Sequence, residues 1–191
     1  MSCHRTFPVI ASVFSILLAA GSARADLIVN GGFETANFTG WETESASSGS
    51  LFGVLGGQTH TGDYAAGFAA FLYQPDAIYQ IVPTVAGQQY MLTFWLWNSA
   101  PHGNDYFSVS WEGTTVLELG PLDVTDGWEQ HTLILTATMS GSELRFASYD
   151  FYEFIYLDDV SLVPLGAAVP SPASATLGVI GAGMMLLRRR R

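Results

Sequence analysis

The sequence predicts an all-β domain, an antiparallel two-sheet sandwich, set between two segments that direct the chain to a membrane. Three observations carry this expectation: short runs alternate with a period of two, turn residues separate them, and no stretch between the two ends keeps a helical period. Of the 191 residues, Asp26 to Leu165 remain for folding, the length of one ordinary domain with one core.

The first segment reads as a signal peptide over 1–25. Arg5 makes a positive n-region, Val9 to Ala20 an apolar h-region, and Ala23-Arg24-Ala25 a small-x-small cleavage site, so the mature chain begins near Asp26. Cys3, the only cysteine, leaves with the leader. The exported part therefore has neither a disulfide nor a thiol nucleophile.

The strands follow in order. In Gln89 to Asn98, Tyr90, Leu92, Phe94 and Leu96 share one face and Met91, Thr93, Trp95 and Trp97 the other. Phe107, Val109 and Trp111 alternate with Tyr106, Ser108 and Ser110, and Glu112-Gly113-Thr114 turns the chain into Thr115 to Leu119. His131, Leu133, Leu135 and Ala137 oppose Thr132, Ile134 and Thr136; after Ser140-Gly141-Ser142, Leu144 and Phe146 continue the pattern, and Ile155 to Val163 closes it. Phe94, Phe107, Trp111 and Phe146 are the expected aromatic core.

Gly166 to Pro172 reads as a spacer, and residues 173–191 as a membrane segment. Ala175 to Leu187 carries no charge and can enter hydrocarbon, whereas Arg188, Arg189, Arg190 and Arg191 stay on the cytoplasmic side. At about 1.5 Å per helical residue the run falls short of a hydrocarbon core of about 30 Å, so the anchoring is marginal and transient. With Val169, Pro170, Ser171 and Pro172 ahead of it, this tail resembles the C-terminal sorting signal of the PEP-CTERM proteins, although Ser171 stands where that motif usually has Glu. The resemblance implies processing by an exosortase-type enzyme and a final place at the cell envelope or outside the cell.

Charge narrows the functions available to the exported part. All seven basic residues are arginines and six lie in or beside the two targeting segments, which leaves Arg145 alone against seventeen acidic residues. A basic nucleic-acid footprint is excluded. The acidity suits a soluble surface, and it would also gather divalent cations.

A second resemblance covers nearly the whole exported domain. Leu27-Ile28-Val29-Asn30-Gly31-Gly32-Phe33-Glu34 with Gly40-Trp41, the His60-Thr61-Gly62-Asp63-Tyr64-Ala65 turn, Ile78 to Ile81, Gly87 to Trp95, and Tyr156-Leu157-Asp158-Asp159-Val160-Ser161-Leu162 resemble the galactose-binding-like jelly rolls, including carbohydrate-binding modules of the type 4/9/22 group. The resemblance implies a structural Ca2+ held by Glu34 and Asp158, with carbonyls near Asn30 and near Thr61 to Asp63. Asp159 is the substitute ligand if a bulge shifts the register. Calcium takes 6 to 8 oxygens at roughly 2.3 to 2.6 Å and would tie the first segment to the last in a domain without disulfides. Simple alternation puts Asp158 on the interior face with Val160 and Leu162. Arg145 is then the counter-charge on offer.

Trp95, Trp97, Tyr106, Tyr149 and Tyr152 are candidate platforms for sugar rings, since each joins a flat apolar face to a polar handle; ordinary packing is the competing role. Catalytic motifs are missing: the chain has no Gly-x-Ser-x-Gly, no His-Glu-x-x-His, no phosphate loop and no Cys-x-x-Cys. His60 and His102 read as loop residues and His131 as a strand residue, leaving a carboxylate pair such as Glu34 with Asp158 as the remaining catalytic possibility. The expected protein is exported and non-catalytic, and binds or organises polysaccharide. A surface structural protein without a sugar site is the first alternative, and a small secreted hydrolase using the acidic cluster the second.

Overall fold

The structure, a computed structural model, describes residues 24–45, 50–70, 74–99, 105–120, 127–150 and 153–166. The leader up to Ala23, His102, Tyr152 and the tail from Val169 lie outside these residues. Ala25 is described and exposed, just ahead of the domain.

Ten strands are formed: β1 (Glu42–Glu44), β2 (Gly53–Gly56), β3 (Tyr64–Phe68), β4 (Asp76–Val82), β5 (Gln89–Asn98), β6 (Tyr106–Trp111), β7 (Thr114–Leu119), β8 (Glu129–Thr136), β9 (Ser142–Tyr149) and β10 (Ile155–Leu165). They make two five-stranded antiparallel sheets, β1-β4-β9-β6-β7 and β2-β3-β10-β5-β8, packed as a jelly-roll sandwich. The described residues contain no helix. The all-β, two-sheet expectation is met.

Alternation decides what enters the core. On β5, Leu92 and Phe94 are fully buried and Tyr90 and Leu96 nearly so, whereas Met91, Thr93, Trp95 and Trp97 stand half-exposed on the other face. Phe107, Phe146 and Leu144 face them from the first sheet, and each such side chain taken from water stabilises the fold by roughly 1.5 to 3 kcal/mol. Trp111 belongs to this core and seals its margin by donating Nε1–H to the Thr136 carbonyl at 3.0 Å, from one sheet to the other. The β6–β7 hairpin turns on Glu112 and Gly113, with φ of 51° and 76°. Two positive φ values in a two-residue loop match the right-handed twist of the flanking strands.

Two features position the candidate site. The opening segment is not assigned as a strand, yet it lies along β10: Leu27 N–H donates to the Leu162 carbonyl at 2.9 Å and Val160 N–H to the Gly31 carbonyl at 3.0 Å. Here the two backbones run so close that a side chain at Gly31 would begin 1.9 Å from the Val160 carbonyl oxygen.

The second feature is a bulge in β10, and it corrects the sequence expectation for Asp158. Asp158 pairs with Trp95 but Ser161 with Thr93, so one extra residue is inserted, and Asp159 takes a φ of 47°. Residues directly opposite on antiparallel strands share a face. Asp158 therefore emerges beside Trp95, on the outer face of the second sheet, while Val160 and Leu162 remain in the core. Arg145 is not its counter-charge. It lies in β9 of the other sheet, paired with Glu44 and set 5.5 Å from the ring centre of Tyr79.

Candidate functional site

Asp158 and Asp159 emerge from the β10 bulge, Glu34 from the opening segment, and the 59–63 turn, ahead of β3, folds over all three. Asp158 is fully buried, and its carboxylate accepts from the amides of His60 at 2.8 Å, Thr61 at 3.3 Å and Asp159 at 2.7 Å. Burial is the largest influence on its pKa and lifts it to about 6; the three amides pull it down, and the neighbouring Asp159 charge pushes it up. Asp159 accepts from the Thr61 hydroxyl at 2.9 Å, and its Oδ2 lies 2.6 Å from His60 Nδ1.

Glu34 accepts the amides of Asp63 and Tyr64 at 3.0 to 3.1 Å. Gly62, at φ +64°, suits glycine because of its left-handed backbone, and a Cβ there would also push the Glu34 carboxylate, 2.3 Å away at Oε1, off the amides it accepts. Gly32 sits among the acids: a Cβ there would lie 3.4 Å from Asp159 Oδ1, 3.9 Å from Asp158 Oδ1 and 3.8 Å from Glu34 Cγ. Its missing side chain leaves a small space with carboxylates on its margin. Among the described residues, no three or more His, Cys, Asp and Glu side chains are gathered as a metal-binding group. A cation in this space would need carbonyl oxygens as well, as hard-ion sites commonly do.

Asn30 is tied to its own loop. Its carbonyl accepts from Trp41 Nε1 at 3.1 Å and from the Phe33 amide at 3.2 Å, and its side-chain amide donates to the carbonyls of Asn37 and Thr39.

Beside the carboxylates lies an aromatic surface on the outer face of the second sheet. Trp97 neighbours Tyr156 across the β5–β10 pair, ring centres 5.8 Å apart, and Phe154 continues the row at 5.6 Å from Tyr156. Trp128, just before β8, leans over the row at 6.0 Å and 55° from Trp97. Trp95 belongs to the same face, but the His60 imidazole lies flat against it, with 3.7 Å between centres and 15° between planes.

Tyr106 and Tyr149 stack on each other at 5.4 Å as a cross-strand pair of the first sheet. The five aromatic residues chosen from the sequence thus form no single site: Trp95 and Trp97 share a face, the tyrosine pair belongs to the opposite sheet, and Tyr152 is outside the described residues. Trp128, Tyr156, Phe154 and His60 were missed as site residues. For Tyr156 and Phe154 a signal existed, because the apolar face of β10 passes from Ile155 and Leu157 to Val160 and Leu162. That change of parity is what a one-residue bulge produces.

The catalytic possibility weakens on this geometry. A fully buried Asp158, held by three amides beneath the turn, offers no oxygen to a glycosidic bond, whereas catalysis needs the acid within hydrogen-bond reach of its substrate.

No family model and no curated protein matches the chain. Several solved structures share its fold. The family 61 carbohydrate-binding module TmCBM61, solved in complex with beta-1,4-galactotriose, is 19% identical with a TM-score of 0.56, over 72% of this chain and 97% of that one. The CBM22-1 xylan-binding domain of Paenibacillus barcinonensis Xyn10C is 15% identical with a TM-score of 0.55, over 78% of this chain and 100% of that one. A Stig cyclase from Fischerella sp. TAU is 16% identical with a TM-score of 0.56, over 76% of this chain and 100% of that one. The common ground of these proteins is the jelly roll, a scaffold that hosts binding and catalysis alike.

Proposed function

We propose that the domain is a non-catalytic polysaccharide-binding module of an exported protein, with the outer face of the second sheet as its binding surface. One observation carries this reading: Trp97, Trp128 and Phe154 stand partly exposed around a buried Tyr156, on the outer side of a sheet whose core is already filled from the other face. Aromatic rings placed where packing does not call for them offer flat apolar surfaces to the C–H faces of sugars. Two of the fold relatives bind beta-1,4-galactotriose and xylan, which favours a glycan over a peptide. The test is affinity electrophoresis of the full chain in gels containing β-1,4-galactan or xylan. Retardation that disappears in Trp97→Ala and Trp128→Ala, with unchanged melting temperatures, supports the reading. Retardation that survives both substitutions moves the binding surface elsewhere, and no retardation of the natural chain turns the reading into that of a surface structural protein.

The carboxylate group beside this surface is a structural calcium site in the same reading. Glu34, Asp158 and Asp159 would hold the ion with carbonyls of the Thr61 to Asp63 turn, and the ion would supply the positive charge that buried Asp158 lacks. Chelation should lower the melting temperature. The two chain ends complete the proposal: the leader is removed near Asp26, and an exosortase-type enzyme processes the Val169–Arg191 tail at the membrane. Mass spectrometry of the mature protein tests both, and an intact tail on the extracellular form would exclude the processing step.

A further inference from the structure

Trp95 stands directly opposite Asp158 across the β5–β10 pair, and its outer face is already taken. The His60 imidazole lies 3.7 Å from it and nearly parallel, a separation that leaves no room for a sugar between the rings. The edge of Trp128 closes one side, 5.9 Å from His60 at 67°. What holds His60 there is of two kinds. Its main chain is fixed, since the His60 amide donates to buried Asp158 at 2.8 Å. Among the described residues its side chain has one polar contact, Nδ1 to Asp159 Oδ2 at 2.6 Å, between side chains that are 24% and 29% exposed. The imidazole can therefore swing aside by rotation about its own side-chain bonds without disturbing the turn that carries it.

We infer that His60 is a movable cap on Trp95, fastened by Asp159, and that a bound polysaccharide chain displaces it to extend the Trp97 and Trp128 surface by one more ring. The inference rests on the polysaccharide reading for its ligand and on the stacking geometry alone for the cap. A residue that must vacate a platform before ligand can use it lowers the apparent affinity by the fraction of time the platform is closed. Removing it should restore that affinity.

The experiment uses five full-length proteins: the natural sequence, His60→Ala, Trp95→Phe, the double variant of these two, and Asp159→Asn. Acrylamide quenching of tryptophan fluorescence reads the cap without any sugar. His60→Ala should quench more readily than the natural protein, and the gain should vanish when Trp95 is also replaced. Affinity electrophoresis in β-1,4-galactan or xylan gels reads the ligand's part: His60→Ala should be retarded roughly ten-fold more strongly, and Trp95→Phe should cost less retardation in the natural background than in His60→Ala. Asp159→Asn, which keeps both rings and suits the left-handed backbone at that position, should give an intermediate gain and covers the case in which His60→Ala fails to fold.

Unchanged quenching in His60→Ala and Asp159→Asn overturns the cap. Equal loss of retardation on replacing Trp95 with or without His60 overturns the displacement, because Trp95 would then be open already. If none of the proteins is retarded, the polysaccharide reading fails together with the ligand's part, and the quenching result still decides the cap.

Discussion

The two outer faces of this sandwich have the same construction and different chemistry. On the first sheet, Arg145 pairs with Glu44 over Tyr79, and Tyr106 stacks on Tyr149, so the groups that could reach outward are satisfied by neighbours on adjacent strands. On the second, Trp97, Trp128, Tyr156 and Phe154 form a row in which rings meet rings, with buried carboxylates beside it. A sheet exposes a row of alternate residues on its outer face whatever its function. Chemistry separates the two: one face is self-paired, and the other leaves Trp97, Trp128 and Phe154 partly open to water around a buried Tyr156.

The largest effect that could break this comparison is in binding. Trp97→Ala should weaken polysaccharide retention by roughly 30-fold, about 2 kcal/mol for a central aromatic contact, while Tyr149→Ala leaves it unchanged. Affinity electrophoresis of both variants decides, and the reverse ranking would move the site to the first sheet. Next in size is the turn that closes over the acids. Gly62→Ala forces a Cβ against Glu34 in a left-handed backbone and should destabilise the fold by about 1 to 3 kcal/mol, read as a lowered urea midpoint. Gly57, whose φ is also positive at 92° but whose Cβ would meet nothing within 4 Å, should tolerate the same change with a smaller loss.

Asp158 makes the comparison sensitive to pH. Its folded-state pKa of about 6 lies above that of an unfolded aspartate, so the folded state binds the proton more tightly. The associated stability is fully present below about pH 4 and is lost as pH rises through 6; at neutral pH an ionised Asp158 costs on the order of 3 kcal/mol. Glu44 and Glu112 have the opposite sign, since hydrogen bonds from Arg145 and from Ser142 and Thr138 lower their pKa, and their contributions fade in acid. Melting temperature in chelator should therefore rise between pH 7 and pH 5 and then fall. Calcium should flatten the upper limb; a limb of the same slope with and without calcium would remove Asp158 from the ligand set. The smallest effect belongs to the first sheet: Arg145→Gln should shift stability by less than about 1 kcal/mol, and less still in high salt, because Glu44 is largely exposed.

Much of the fold was legible because alternation on β5, β6, β8 and β9 sorts core from surface without knowledge of the partners. Phe94, Phe107, Trp111 and Phe146 all reach the core, and Glu112-Gly113 makes its turn. The site was legible in part. Glu34, the His60 turn and the Asp158-Asp159 pair meet across more than 90 residues of sequence, yet the face on which Asp158 emerges depends on a single inserted residue. A strict period of two carried across that insertion assigns the wrong side. Trp128 was out of reach for a different reason: it precedes its strand, and no periodicity fixes where a ring outside a strand will lie.

Between Asp26 and Leu165 the chain offers a protease of trypsin-like specificity one bond, the one after Arg145. That residue is in the middle of β9, paired with Tyr79 on one side and Ser110 on the other, where the backbone cannot be drawn into an extended, accessible conformation without opening both neighbouring strands. Digestion should therefore trim the polypeptide at its ends and leave the sandwich whole until it unfolds globally, which would make cutting at Arg145 a direct count of that opening.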